Sequence, residues 1–239
     1  GVRLVGSEMC IRDRYMTNSS NLIDSLEVYV LNNPEEVTPH WVSHFIVPTA
    51  NELLIKIKNK DGNSGFGLAT SYTDISPLVK PFSNGIADLI VGEDPFSPEK
   101  LYDKIFKLTD TRISSEKGWS REALIRISAA LDIACWDLMG KASNIPLYKL
   151  FGGYRNKVPV YVTCAYYREG KDEKELRDEL KKLVQLGHQS FKVKVGGLTI
   201  KEDYKRLEII REEIGSEKSL MIDVNLSLIH ISEPTRRTP

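Results

Sequence analysis

Phe191-Lys192-Val193-Lys194-Val195 and Leu220-Met221-Ile222-Asp223-Val224-Asn225 decide how this chain folds. Each is a short apolar run that follows a helix-like segment. Successive side chains of a strand point to opposite faces. Lys192 and Lys194 therefore share one face, and Asp223 and Asn225 share another. Counted from 192 to 221, the two motifs stand 29 residues apart. Paired lysines followed by a hard-oxygen carboxylate, at the tips of successive strands, point to proton abstraction beside a bound divalent ion.

The surrounding rhythm supports this. Val158–Ala165 has strand character, and Asp172–Leu186 is a helix stopped by Gly187. Phe191–Val195 is a strand, Lys201–Ile214 a helix stopped by Gly215, and Leu220–Val224 a strand. Glycine just past a helix supplies the left-handed residue that ends it. From Val160 to Phe191 is 31 positions and from Phe191 to Leu220 is 29. Strand–helix–strand units of that length build a parallel sheet with right-handed crossovers. A doubly wound sheet and a (β/α) barrel both fit. The first strand–helix turn carries no G-x-G-x-x-G and no Walker lysine, and Gly196-Gly197 alone is weak evidence for a phosphate cradle.

Upstream the pattern differs. Leu26–Leu31 is β-prone, Leu53–Lys58 alternates with Leu53, Ile55 and Ile57 on one face, and Ser64–Ala69 returns after the turn at Asn59–Asn63. These predict an antiparallel meander. The connection Asn32–Asn51 is long for a hairpin and holds His40, Trp41, His44 and Pro48; long loops are often functional. Ser97-Pro98-Glu99 is a helix start. The most regular helix runs from Ser120 to about Met139. Its apolar positions, from Ala123 and Leu124 through Cys135 to Leu138, trace one stripe. Cys135 is a small core hydrophobe there, and Phe151-Gly152-Gly153 turns the chain into the next region.

Apolar content of 41%, charge of 28% and zero formal net charge over 239 residues describe an ordinary globular chain. They give no reason to expect nucleic acid or a membrane as partner. Cys10, Cys135 and Cys164 are too few and too far apart for a disulfide framework, which fits the reducing cytoplasm. The ends, Gly1–Tyr15 and Leu226–Pro239, do not continue the neighbouring patterns, and both resemble translated sequencing-adapter read-through. Removing them takes five of 33 basic and three of 33 acidic residues, leaving 28 against 30, a net charge of −2, with Met16 as the start.

Lysines on a barrel-interior face need a partner, because a buried unpaired ammonium is costly. Two side by side lower each other's proton affinity, which suits a general base. A solvated edge strand would also present Lys192 and Lys194. A D-x-N run such as Asp223-Val224-Asn225 also opens ordinary turns. The conjunction at the ends of successive strands favours a site, since barrel enzymes build theirs there.

These motifs resemble the enolase superfamily, in its mandelate racemase / muconate lactonizing enzyme branch. Ala129–Gly140 (AALDIACWDLMG) with Lys141-Ala142 resembles the last cap helix of that family, and Ile145–Gly153 the stretch after it. Lys192-Val193-Lys194 matches the K-x-K of barrel strand 2, and Asp223-Val224-Asn225 the D-x-N of strand 3. The resemblance implies an α+β cap domain (antiparallel meander plus helices) followed by an incomplete α/β (β/α)7β TIM-like barrel. The boundaries it implies are 1–15 as a foreign tail, 16–153 as the capping domain, 154–225 as the first part of the barrel, and 226–239 as a second foreign tail. Lys194 would take the proton alpha to a substrate carboxylate, and Lys192 would bind that carboxylate and tune Lys194. Asp223 would be the first of three acidic Mg2+ ligands, with Asn225 supporting the metal site. Trp41, His44, Tyr166 and Tyr167 are candidate substrate contacts, with packing the alternative for Trp41.

The segment from Ala165 to Gly197 most resembles the sugar-acid dehydratases, which implies a role in carbohydrate-acid catabolism and a small-molecule carboxylate as partner. The resemblance also implies a homo-oligomer. The remaining acidic ligands and the second acid/base belong to later strands, and three strands cannot close a barrel. The chain as written is therefore expected to be inactive. Racemisation, epimerisation or cycloisomerisation in the same superfamily, a non-catalytic interaction fragment, and a Schiff-base lysine aldolase are the alternatives. The aldolase leaves the D-x-N without a task.

Overall fold

The computed structural model describes residues 20–31, 39–43, 45–47 and 51–225. In chain order the strands are β1 (Ile23–Leu31), β2 (His40–Trp41), β3 (Ile46–Val47), β4 (Asn51–Asn59), β5 (Ser64–Ser71), β6 (Val162–Cys164), β7 (Tyr167–Arg168), β8 (Ser190–Lys194) and β9 (Ser219–Asp223). The helices are α1 (Ser76–Ser83), α2 (Pro98–Phe106), α3 (Arg112–Lys117), α4 (Arg121–Ala142), α5 (Leu147–Leu150), α6 (Glu173–Gln185) and α7 (Ile200–Ile214). The chain divides into two compact units. Residues 1–31 and 51–154 form the first, and 32–50 and 155–239 the second. The expected foreign ends, residues 1–15 and 226–239, lie outside the described residues.

In the first unit β1, β4 and β5 form an antiparallel sheet in that order, the meander expected from the alternation. Leu53, Ile55 and Ile57 are fully buried on one face of β4. That face meets α4, whose stripe of Leu124, Ile127, Ala130, Leu131, Ala134, Cys135 and Leu138 is buried throughout. The approach is close because β5 offers glycine where it faces the helix. A Cβ on Gly65 would sit 1.9 Å from the Ala134 carbonyl oxygen, and one on Gly67 1.9 Å from that of Ala130. Ser120 caps α4 by accepting a hydrogen bond from the Ala123 amide. At α2, Ser97 occupies the cap position without a side-chain cap bond. The preset φ of Pro98 and the acidic Glu99 mark that start instead.

The second unit holds the parallel sheet β6–β8–β9. Val162 pairs with Phe191 and Cys164 with Val193, while Phe191 pairs with Leu220 and Lys194 with Asp223. Phe191 and Val193 point into an apolar core with Leu176, Leu180, Ile209, Ile210 and Ile214 of α6 and α7. Alternation therefore sends Lys192 and Lys194 to the opposite face. Asp172 caps α6, and a full capping box of Thr199 with Glu202 opens α7. Gly187, at φ +88°, ends α6: its amide and that of His188 bond back to Val184 and Leu183.

Strand β6 is shorter than the expected Val158–Ala165. Pairing begins only at Val162, and Val158 and Val160 are 70% and 75% exposed. Its register with β8 begins with Val162 opposite Phe191. Helix α1 was not anticipated, because Pro77 and Pro81 break its pattern; Pro77 sits in its first turn, where the missing N–H costs nothing.

Candidate active site

The in-register pairing of β8 with β9 brings the two motifs together. Lys194 Nζ donates to Asp223 Oδ2 at 2.7 Å, and Lys192 Nζ lies 3.4 Å from the same oxygen. The Lys194 side chain is 8% exposed, against 24% for Lys192 and 29% for Asp223. One carboxylate therefore sits between two ammonium groups. The hydrogen bond from Lys194, aided by the Asn225 amide, which donates to Oδ1 at 2.9 Å, holds the Asp223 carboxyl down at about 2.

The expectation that the paired lysines lower each other's proton affinity does not hold for Lys192. Burial pulls it down, but Tyr161 and Asp223 more than offset that, so its proton affinity is raised. The Lys192 ammonium also lies 5.1 Å from the centroid of the Tyr161 ring. Opposite charge at contact distance outweighs like charge beside it. Sequence reasoning missed Tyr161, which falls just ahead of the short β6 strand.

Asn225 adopts the left-handed conformation at φ +48°, which asparagine tolerates better than most residues. Its Oδ1 is buried and has no hydrogen-bond partner among the described residues. A buried carbonyl oxygen without a donor, two residues after a carboxylate, suits a hard cation. Asp223 and Asn225 thus fit Mg2+ as part of a donor set. Among the described residues no three His, Cys, Asp or Glu side chains gather into a larger one.

Residues 39–43 and 45–47 lie beside the turn that follows β8, where Ser43 Oγ donates to the Val195 carbonyl at 2.7 Å. Their β2 pairs with β7, His40 with Arg168 and Trp41 with Tyr167. Trp41 stacks on Tyr167 with ring centroids 5.8 Å apart, and His40 meets Tyr166 edge-on at 4.8 Å. Tyr166 is half-buried, whereas Tyr167 is 2% exposed. The Tyr167 hydroxyl donates to Asp203 Oδ1 at 2.6 Å and accepts from the Gly197 amide at 3.2 Å. It is thereby committed within the protein. His44 lies outside the described residues.

The Gly196-Gly197 turn is a nest, but its occupants are internal. The Gly196 amide donates to Asp203 Oδ2 at 2.7 Å, and the Gly197 amide to the Tyr167 hydroxyl. A Cβ on Gly197 would lie 2.5 Å from the Tyr167 ring. Gly197 is required by the Tyr167 ring and Gly196 by its φ of +88°, and both amides are taken by the chain itself, where a phosphate cradle would have left them open. Among the described residues no helix is long and apolar enough to cross a membrane.

The chain is similar to known proteins along most of its length. Residues 25–152 match the family model described as mandelate racemase / muconate lactonizing enzyme, N-terminal domain, and residues 175–233 the enolase C-terminal domain-like model. The arabinonate dehydratase of Saccharolobus solfataricus is 36% identical over 71% of this chain and 44% of its own length. The L-Ala-D/L-Glu epimerase of Clostridium acetobutylicum is 35% identical over 75% of this chain and 47% of its own. The L-talarate/galactarate dehydratase of Salmonella typhimurium LT2, crystallised with Mg and L-lyxarohydroxamate, superposes with a TM-score of 0.73 at 26% identity, covering 89% of this chain and 54% of that one. The chain thus spans about half the length of the curated relatives it matches. The matched family models, the 36% identity and the superposition agree with each other: the chain belongs to the mandelate racemase / muconate lactonizing enzyme family of the enolase superfamily.

Proposed function

We propose that this chain carries the base-bearing strands of a Mg2+-dependent enzyme that removes the proton alpha to a carboxylate, most specifically an acid-sugar dehydratase. The carrying observation is the convergence of Lys194 and Lys192 on one oxygen of Asp223. Lys194, the more buried of the two, is the base. Lys192, more exposed and held charged, binds the substrate carboxylate. Asp223 and Asn225 would hold Mg2+. When bound, the ion supplies positive charge to a carboxylate that gains electron density as the proton leaves. A substrate carboxylate entering beside Lys192 would compete with Asp223 for that ammonium. Trp41 and Tyr166, the latter with His40 edge-on to its ring, are the candidate contacts for the entering substrate.

Dehydratase and epimerase both occur among the relatives. Loss of an alpha proton begins either reaction, so the racemase or epimerase reading shares Lys194 as base and differs only in the step that follows. The capping region 16–153, the barrel region 154–225, a cytoplasmic location and a homo-oligomeric whole protein belong to the same proposal.

Two measurements test it. Mn2+, a paramagnetic stand-in for Mg2+, is titrated into the protein and its Asp223→Asn variant; the variant should bind at least tenfold more weakly, on the scale of losing a ligand. Exchange of the alpha proton of aldonic and aldaric acids in D2O is followed in the whole protein. Lys194→Ala should abolish it, and exchange that persists in that variant would remove Lys194 from its role.

A further inference from the structure

The buried pair Tyr167–Asp203 has no task in the proposed chemistry, yet it costs something to build. Asp203 is 8% exposed, in the first turn of α7. A carboxylate so buried must be repaid by hydrogen bonds. It receives them from the Tyr167 hydroxyl and the Gly196 amide, at 2.6 and 2.7 Å. Arg206, one turn along α7, lies over the Tyr167 ring at 4.4 Å and donates to the Ala165 carbonyl at 2.8 Å. Burial first, then Asp203, pushes the Tyr167 hydroxyl up to about 12, so it remains a donor at every physiological pH.

What this pair touches is informative. Lys194 is followed by Val195, Gly196 and Gly197, and every one of those amides is tied. Val195 N donates to the Asp223 carbonyl at 3.2 Å, Gly196 N to Asp203 and Gly197 N to Tyr167. The Val195 carbonyl accepts from Ser43 Oγ at 2.7 Å, and Ser43 belongs to the segment 39–43. Tyr167 holds that same segment from its other side, through the Trp41 stack and the β2–β7 ladder. A single tyrosine thus contacts both the turn after Lys194 and the strap that lies over it.

We infer that Tyr167 and Asp203 are positioning residues that register the strap residues 39–43 on the β8–α7 turn, so that docking of the strap and placement of Lys194 are one event. The role of Lys194 as base rests on the function proposed above; the registration does not. Neither Tyr167 nor Asp203 needs to touch substrate. The strap is bonded to the turn by Ser43 and stacked on Tyr167, and loss of either link should loosen both ends.

Segment-resolved amide hydrogen exchange on the whole protein tests this. Tyr167→Phe keeps the ring in its glycine cradle and the Trp41 stack, and removes only the hydroxyl. It should raise exchange about tenfold both in 195–197 and in 39–43, the scale of losing one buried hydrogen bond. The amides of α4 in the other unit should not change. Ser43→Ala should reproduce the effect from the strap side, and the fold-change in the double variant should fall short of the product of the two single fold-changes, because both break one coupled unit. Pulsed acylation reads Lys194 directly, and its labelling should rise in both variants. Faster exchange in 195–197 with an unchanged strap would reduce Tyr167 to a core residue and overturn the inference. A loosened strap with unchanged Lys194 labelling would overturn the positioning role. If alpha-proton exchange survives Lys194→Ala while these coupled changes are seen, the base assignment fails and the registration stands.

Discussion

Lys194 Nζ and Asp223 Oδ2 meet at 2.7 Å across a register in which these two residues are direct partners of neighbouring parallel strands. Neither side chain has to reach for the other, because pairing of β8 with β9 delivers both to the same face at the same height. The pair is therefore a product of the sheet register itself.

One consequence is measurable in the Asp223 carboxyl. Lys194 is the foremost cause of its depression to about 2. In Lys194→Ala its titration should move up toward the ordinary carboxylate range near 4, read by 13C NMR of the carboxyl carbon. The linkage has a definite sign. A carboxyl whose folded value is depressed adds stability above its unfolded value, and that stability is lost as pH falls from about 4 toward 2. The wild-type protein should lose more stability than Lys194→Ala across that window. An Asp223 titration that stays near 2 without Lys194 would assign the depression to the Asn225 amide.

The close approach of α4 to β5 depends on two glycines. Gly67 has Ala130 backbone 1.9 Å from where a Cβ would stand. Backbone cannot swing aside as a side-chain end can, so Gly67→Ala must push helix from sheet. The expected loss is about 3 kcal/mol or more, at the upper end for overpacked cores. Urea denaturation of the variant checks it. A loss under about 1 kcal/mol, the size of an ordinary strand substitution, would show that helix and sheet slide apart without cost.

Much of the fold was legible in the sequence, for identifiable reasons. The stripe from Ala123 to Leu138 is buried as its spacing implied, because a long helix against a sheet has one way to hide it. Lys192, Lys194 and Asp223 come together because strand alternation and parallel pairing leave no freedom once the strands are located. The Gly196-Gly197 turn was not legible. Its partners, Tyr167 and Asp203, lie 30 residues before Gly197 and seven after Gly196, and Asp203 looks like any acid in a helix's first turn. Ser43 is a single hydroxyl in a long connection, and nothing local ties it to Val195, 152 residues away. Periodicity reports which face is buried; it does not report which polar group on another element completes a turn.

Arg177 offers a test of how α6 and α7 are joined. Its guanidinium reaches Glu213 at 2.7 Å, Glu212 at 2.9 Å and Glu173 at 2.9 Å, and these carboxylates, Glu213 foremost, raise its proton affinity further. A planar fork is needed to serve three acids on two helices. Arg177→Lys should therefore lower the thermal midpoint nearly as much as Arg177→Ala. The difference from wild type should shrink with added NaCl, because the site is partly solvated. Full rescue by lysine would reduce the contact to charge alone.

Cys135 and Cys164 are both free and buried. Burial foremost, with Asp132 and Asp94 near Cys135 and Glu179 near Cys164, pushes each thiol from an ordinary value near 9 up to about 12. The thiolate is the nucleophile, so in a Cys10→Ser background neither should react with iodoacetamide at pH 8 until the chain unfolds. The same shift has a cost at high pH. Between about 9 and 12 the folded state keeps two protons that the unfolded chain releases, so stability must fall as pH rises through that range, by up to about 1.4 kcal/mol per pH unit for each thiol. Lysines and tyrosines titrate there too, and the contribution of the thiols is isolated by comparison with a Cys135→Ala/Cys164→Ala variant. Urea midpoints at pH 8, 9.5 and 10.5 should decline more steeply in the protein that keeps both thiols. Parallel slopes would mean that buried thiols contribute nothing to alkaline unfolding, and rapid alkylation of the native protein would mean that the two cores open far more readily than their packing implies.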